Sequence, residues 1–439
     1  MDLSEKQLLQ TDLLRKSHPL NSAEDLDALV ESLAGSRVVM LGEASHGTHE
    51  YYTWRARISK RLVEEHGFSF IGVEGDWPDC YKINRYVKNY KDAGEDAETV
   101  LRNFNRWPTW MWANWETAAF TEWLYGHNLS KGKSQKAGFY GLDVYSLWDS
   151  LDAIINYLEK EDPEAAEVAR RSVHCFEPYR GEDDGQKYAR ATNRIVPDNC
   201  EEEVLALLKQ LSSGAPQHNH DPEAAFNAEQ NALVAVNAEK YYRVMMQPGP
   251  DSWNVRDMHM METLDRLLNY HGPESKAIIW EHNTHVGDAR ATDMARGGLW
   301  NIGQLAREKY GKDKVSLVGF GSFKGSVIAG DYWGAPMEKM PVPEAREGSW
   351  ENLLHQQSPS DRYFLSTDLV KSQRLKRTIP HRAIGVVYHP ERERYGNYVP
   401  SIIPERYDAF IYLDQTKGLH PIKITEQLQK IPETYPWNV

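Results

Sequence analysis

A chain of 439 residues can hold two or three average domains, or one α/β core with a large insertion, and can bury a sizeable core either way. Its net charge of -13 and sequence pI near 5.7 suit a soluble cytoplasmic protein and argue against a dedicated nucleic-acid binder. The three cysteines, Cys80, Cys175 and Cys200, form no C-x-x-C pair, so neither a disulfide framework nor a thiolate zinc site is expected. The N-terminus (1–10) is polar and lacks the apolar core of a signal peptide. No apolar run approaches the ~18 residues a membrane helix needs.

Ser22 with Asp25 three residues on resembles a capping box, with Asp in place of the usual Glu. Leu26, Leu29, Val30 and Leu33 follow at helical spacing, with Gly35 as the stop. A first strand is predicted at 37–41 and a helix at 48–66, ended by Gly67. The second strand, 69–74, is nearly all apolar, as strands buried on both faces are. Pro78 sits where a helix begins, running towards Tyr90, and a third strand is expected at 137–142, ending in Asp143.

From about 149 to 271 strand signals vanish and long helical patterns take over, among them 224–246 and 251–270. Gly214-Ala215-Pro216 and Pro248-Gly249-Pro250 act as breakers. Strands resume at 276–280, 315–320, 383–388 and 409–413, while 336–343, with three prolines, reads as a surface loop. Strands alternating with helices imply an α/β fold with a mostly parallel sheet covered on both faces. The chain is read as a single domain, 1–439, in which the helical insertion at about 149–271 forms a lid over the C-terminal ends of the strands.

Ligands bind at those ends in open α/β sheets, and three predicted strands deliver His and Glu there. Leu41-Gly42-Glu43-Ala44-Ser45-His46-Gly47 follows the first, Val73-Glu74-Gly75 ends the second, and Trp280-Glu281-His282-Asn283-Thr284-His285 follows the fourth. His46 is the foremost candidate for a general base. At a helix N-terminus the backbone disfavours imidazolium, and a neutral ring offers the acceptor nitrogen such a base requires. Glu43 or Glu74 can accept from its other ring nitrogen. His285 can hold the attacking water or donate to a developing oxyanion, with His282 and Asn283 beside it. Arg55, nine residues along the helix from His46, can point back at the carboxylates and orient a substrate carbonyl. Glu74 ends an apolar strand, so a partner such as Arg55 or His46 is expected.

The same residue types can bind zinc or iron. The H-E-x-x-H signature is missing, however, and His46 and His49 are only three apart, so no metal and no other cofactor is expected. No G-x-S-x-G elbow or Walker A loop occurs. Gly319 to Gly325 misses the dinucleotide-binding spacing. Water activated by a base, with no covalent intermediate, is what remains. Trp107, Trp110, Trp112, Trp115 and Trp123 crowd one segment, and the spacing sets Trp107, Trp110 and Trp115 roughly on one helical side. Most are expected in the core, with one or two, Trp110 foremost, lining a cleft for a large apolar or glycosylated ligand.

Gly42-Glu43-Ala44-Ser45-His46-Gly47, Arg55, Val73-Glu74-Gly75-Asp76 and Trp280-Glu281-His282-Asn283-Thr284-His285-Val286-Gly287-Asp288, in that order, resemble the erythromycin esterase family. The resemblance is strongest over 37–90 and 277–290 and extends over most of the chain. It implies a hydrolase that opens the lactone ring of 14-membered macrolides by attack of water. His46 would be the base, and Glu43, Arg55, Glu74 and His285 its supporting shell. The implied cleft lies between the α/β core and the helical portion, and its small-molecule ligand is a macrolide or another ester, with neither nucleic acid nor membrane as partner. Glu281 departs mildly from the pattern, adding a carboxylate near the site or on the outer face. Two rival readings are a metal-dependent hydrolase of another ester or amide, and a non-catalytic binder of a glycosylated ligand.

Overall fold

The computed structural model describes residues 11–13, 15–180, 185–192, 199–212, 221–369 and 372–422. The N-terminal decapeptide and the Gly214-Ala215-Pro216 breaker lie outside them. The chain divides into two compact units: Met1–Ile71, Ala97–Trp123 and Glu274–Val439 form the first, and Gly72–Asp96 with Leu124–Pro273 the second. Among the described residues no helix is long and apolar enough to cross a membrane.

The fold is α/β, a mixed sheet flanked by helices. In chain order the strands are β1 (Ser17–Pro19), β2 (Val38–Leu41), β3 (Phe70–Asp76), β4 (Gly138–Asp143), β5 (Ala277–Trp280), β6 (Val315–Ala329), β7 (Glu338–Val342), β8 (Arg362–Leu365), β9 (Ile379–Arg382), β10 (Tyr398–Ser401) and β11 (Ala409–Thr416). In the first unit the order is β1-β8-β11-β6-β2-β5, with β7 on β6 and a separate β9-β10 ribbon. The centre is parallel: β2 pairs in that sense with β5 and β6, and β6 with β11. Antiparallel strands β1, β8 and β7 complete it. β2 and β5 are buried along their whole length, the burial that makes their sequences continuous apolar runs.

The capping box forms as read, with Ser22 and Asp25 bonding each other's backbone around the short helix Ala23–Leu26. The helix His49–His66 ends at Gly67. β3 passes from the first unit into the second, where β4 is its neighbour. Beyond β4 the second unit is helical, including Leu147–Glu161, Ala224–Val244 and Asp251–His271. Its core joins Leu151, Ile154, Phe176, Tyr188, Leu207 and Ala235.

Four expectations are corrected. Residues 336–343 are not a loop: Glu338–Val342 pairs antiparallel with β6, Ser326 facing Pro341, because an edge strand tolerates proline. The strand expected at 383–388 lies earlier, at Ile379–Arg382, and Ile384 and Val387 make only isolated bridges. The reason is ionic. His381 and Arg382 are buried against Glu351 and Glu393, a network that a search for apolar runs passes over. Trp107, Trp110 and Trp115 share no helix, since the Asn114 side chain accepts from Thr117 N–H and donates to the Trp110 and Met111 carbonyls, starting the helix Trp115–Leu129 only there. Finally, Cys175 and Cys200 are disulfide-bonded within the second unit, a pairing that spatial proximity decides and their separation of 25 residues conceals.

The turn after β2 is threaded tightly. Gly47 O accepts from Ile328 N–H and Leu419 N–H, both at 3.0 Å, and a Cβ at Gly47 would stand 1.9 Å from Ile328 O. Gly47→Ala should therefore cost about 1–3 kcal/mol in urea unfolding, because β6 backbone cannot yield as a side chain would. An unchanged midpoint would contradict this packing.

Candidate active site

β2 delivers Glu43 and His46 into the first unit, both buried, at 1% and 6% exposure. A Cβ on Gly42 would meet Asn283 Oδ1 at 2.2 Å, so glycine there lets the segment after β5 close onto the segment after β2. That segment is locked by Asn283. Its N–H donates to Glu43 O at 2.9 Å, and its amide donates to Phe320 O at 2.7 Å and accepts from Phe320 N–H at 3.2 Å. Arg406 in turn donates to Asn283 O at 2.9 Å.

Glu43 has two partners. Its Oε1 lies 3.0 Å from His46 Nδ1, and its Oε2 accepts from Arg55 Nη2 at 2.8 Å. A carboxylate only accepts, so His46 Nδ1 carries a proton, and in the neutral ring Nε2 is then the acceptor nitrogen. Once His46 gains a second proton, the same carboxylate stabilises the cation. His46 stands in the turn before the helix, two residues ahead of its N-cap Thr48, rather than at the helix terminus itself. Arg55 is fully buried, with its guanidinium over the faces of Tyr52 (4.3 Å) and Trp280 (5.1 Å). It holds Glu43 Oε2 in place.

His282 caps the short helix Asn283–Val286: its Nδ1 accepts from Thr284 N–H at 3.3 Å and lies 2.7 Å from Thr284 Oγ1. Its ring centroid is 4.9 Å from that of His46, tilted by 41°. His285 follows on the same helix, 2% exposed, and Glu281 is fully buried rather than on an outer, solvated face. Trp110 is also buried, in the turn Thr109–Met111, with its indole N–H bonded to no described residue.

Glu74 belongs to the second unit, where it accepts from Arg256 Nη2 at 2.6 Å. Arg256, on the helix Asp251–His271, also holds Asp143 through two bonds of 2.9 and 2.6 Å. Burial works to raise the Asp143 carboxyl, but the guanidinium overrides it and holds the group below its ordinary value. Arg256 is thus a partner of the kind that the charge at the end of β3 demands. Sequence reasoning named Arg55 or His46 as a partner and did not foresee Arg256, because an Arg inside a long helical pattern carries no signal of such a contact.

The erythromycin esterase family model matches residues 63–416. The chain belongs to the erythromycin esterase family. It is 23% identical over 424 residues to the Bacillus subtilis (strain 168) protein named "Putative hydrolase YbfO", covering 91% of this chain and 89% of that one. It is 22% identical over 361 residues to "Erythromycin esterase type II" of Escherichia coli, covering 77% and 82%. Among solved structures it is similar to one described as a succinoglycan biosynthesis protein, with a TM-score of 0.77, 18% identity and coverage of 96% of this chain and 100% of that one. It is also similar to the erythromycin esterase mutant EreC in its open conformation, at a TM-score of 0.67 and 17% identity, covering 92% and 96%. Those structures share its fold. Family and hydrolase-named relatives together make the chain an ester hydrolase.

Two outcomes follow from the ion pairs. Arg55→Leu strands the buried Glu43 charge and should cost about 3–5 kcal/mol in chemical denaturation, where a surface pair would cost under about 1. For Asp143, whose folded value is depressed, the stability it contributes is full above about pH 4 and is lost as pH falls through the lower folded value. The deficit of Asp143→Asn should therefore be constant near neutrality and shrink in acid. A deficit that stays constant in acid would contradict the assignment.

Proposed function

We propose that the chain hydrolyses the macrolactone ester of 14-membered, erythromycin-like macrolides and so gives macrolide resistance. The observation that carries this reading is the hydrogen bond between Glu43 and His46 Nδ1, which leaves His46 Nε2 as an acceptor. His46 Nε2 takes a proton from water as the oxygen bonds to the lactone carbonyl carbon. His285 donates to the oxyanion that develops on the carbonyl oxygen. The tetrahedral intermediate collapses, the ring C–O bond breaks, and the imidazolium returns its proton to the leaving alkoxide. The product is an open-chain hydroxy acid. Atoms balance as substrate plus one water, with no covalent enzyme intermediate.

Glu43 and Arg55 act through His46. Glu74, which accepts from Arg256, belongs to the proposed catalytic set, and His282 and Trp110 are proposed to face the ligand. Asn283 was named beside them from sequence, but its amide is taken up by Phe320, so we assign it to holding the segment that carries His285. The helical block at about 149–271 is proposed to select the substrate. Its family points to a small molecule, and no nucleic acid or membrane takes part in the reaction. We place the protein in the cytoplasm on its acidic composition. A disulfide such as Cys175–Cys200 is rare in that compartment, and its survival when thiols are blocked at cell lysis would move the protein to an oxidising one.

The purified protein should add the mass of one water to erythromycin, and expression should raise the tolerance of a sensitive host. His46→Ala should keep the fold but lower kcat by about 10²–10⁴-fold or more. Glu74→Gln should lower kcat as well. Near-normal turnover by His46→Ala overturns the base assignment, and an unchanged mass with erythromycin but hydrolysis of other esters moves the substrate alone.

A further inference from the structure

A second cluster in the first unit takes no part in the hydrolysis proposed above. His49 opens the helix His49–His66, Glu116 lies in the first turn of the helix Trp115–Leu129, and His420 comes from the segment after β11. His49 Nδ1 lies 2.6 Å from Glu116 Oε1, and His420 Nδ1 lies 2.7 Å from the same oxygen. The two rings stand edge to face with centroids 5.3 Å apart, and one potential ligand atom from each residue lies within 4.8 Å of the others. Glu116 is nearly buried, at 4% side-chain exposure, whereas the imidazoles are open to solvent at 32% and 29%.

Backbone pairing pre-sets the cluster. His49 N–H donates to Lys417 O at 2.8 Å, Trp115 N–H donates to His420 O at 2.9 Å, and isolated bridges join Thr48 to Gly418 and Asn114 to Pro421. Three segments distant in sequence are thereby held before any side chain chooses a partner. The cluster opens on a surface cavity of ≈ 330 Å³, also lined by Thr53, Arg57, Lys60 and Trp115. The two cations there lie over aromatic faces, Arg57 over Trp54 at 4.5 Å and Lys60 over Trp123 at 5.3 Å.

We propose that His49, Glu116 and His420 form a binding site for a divalent transition metal ion of the zinc class. Two imidazole nitrogens and one carboxylate oxygen make a three-ligand set that leaves a fourth position, here facing the cavity. Bond lengths of about 2.0–2.1 Å place neighbouring ligands of a tetrahedral zinc roughly 3.3 Å apart. The observed 2.6 and 2.7 Å contacts therefore need to open by only roughly 0.6 Å as the metal replaces the shared protons. With Nδ1 given to the metal, each Nε2–H turns to solvent, which the exposure of both rings allows. The site is an addition to the hydrolytic reading: its metal ties the helix that follows Gly47 to the segment after β11. The alternative is a hydrogen-bonded His–Glu–His clamp that binds no metal.

The full chain, stripped with a chelator and dialysed, should be titrated with zinc chloride by calorimetry and thermal unfolding. One equivalent should bind and raise Tm. His49→Ala and His420→Ala, both at partly exposed positions, should fold and weaken binding by roughly a hundredfold, while His389→Ala, at a similarly exposed position outside the cluster, should bind as the wild type does. Cobalt loading should give the visible bands of a four-coordinate ion in the wild type and not in either variant. Failure of the wild type to bind, or equal binding by His49→Ala and His420→Ala, would overturn the proposal. Either result is independent of whether erythromycin is hydrolysed.

Discussion

Glu43 is a carboxylate almost sealed from solvent, and the first unit is arranged around the need to pair it. One oxygen takes His46 and the other Arg55, so the charge that would be costly alone becomes the point from which two other residues are positioned. Its backbone oxygen takes Asn283 N–H, which ties the helix bearing His285 to the same residue. Asn283 then spends its amide on β6. The ends of β2, β5 and β6 are thus held in register through one acidic residue and one amide, and Gly42 is small enough to let them meet.

A carboxylate shared between two partners occurs again at Glu116, and the sharing is reversed in the Asp143–Arg256–Glu74 group, with different consequences set by burial. Arg55 is a permanent cation held between aromatic faces in a dry site, suited to fixing Glu43 and unsuited to reaching a ligand. At Glu116 both partners are imidazoles with solvent on one side, so the protons between them are exchangeable for something else. Arg256 inverts the arrangement: one guanidinium holds two acids, and Asp143 stays ionised despite its burial. The same interaction gives a rigid relay, an open ligand set and a stabilised pair of anions.

What was legible in the sequence follows from this physics. β2, β3 and β5 were visible because strands buried along their length leave unbroken apolar runs, and the residues at their ends stood out against those runs. The spacing made Glu43 one of two candidate partners for His46, with Glu74 the other, and the fold shows the contact to Glu43. The helical block was legible through long helical patterns that run with no strand signal between them. Interactions between distant segments were hidden: Arg256 reaching Glu74 and Asp143, Cys175 meeting Cys200, and the C-terminal His420 meeting Glu116. β9 was missed because its burial is satisfied by ion pairs rather than by apolar side chains, and the tryptophan segment because Asn114 starts its helix later than the spacing implied.

The central claim is that Glu43 fixes His46 as the Nδ1-protonated imidazole, with Nε2 the nitrogen that takes a proton. The most direct measurement is the ring-nitrogen NMR spectrum of His46, labelled and assigned by comparison with His46→Ala, near neutral pH. The account predicts a pyrrole-type signal at Nδ1 and a pyridine-type signal at Nε2, with that distinction reduced in Glu43→Gln. A proton resident on Nε2 in the resting protein would contradict it.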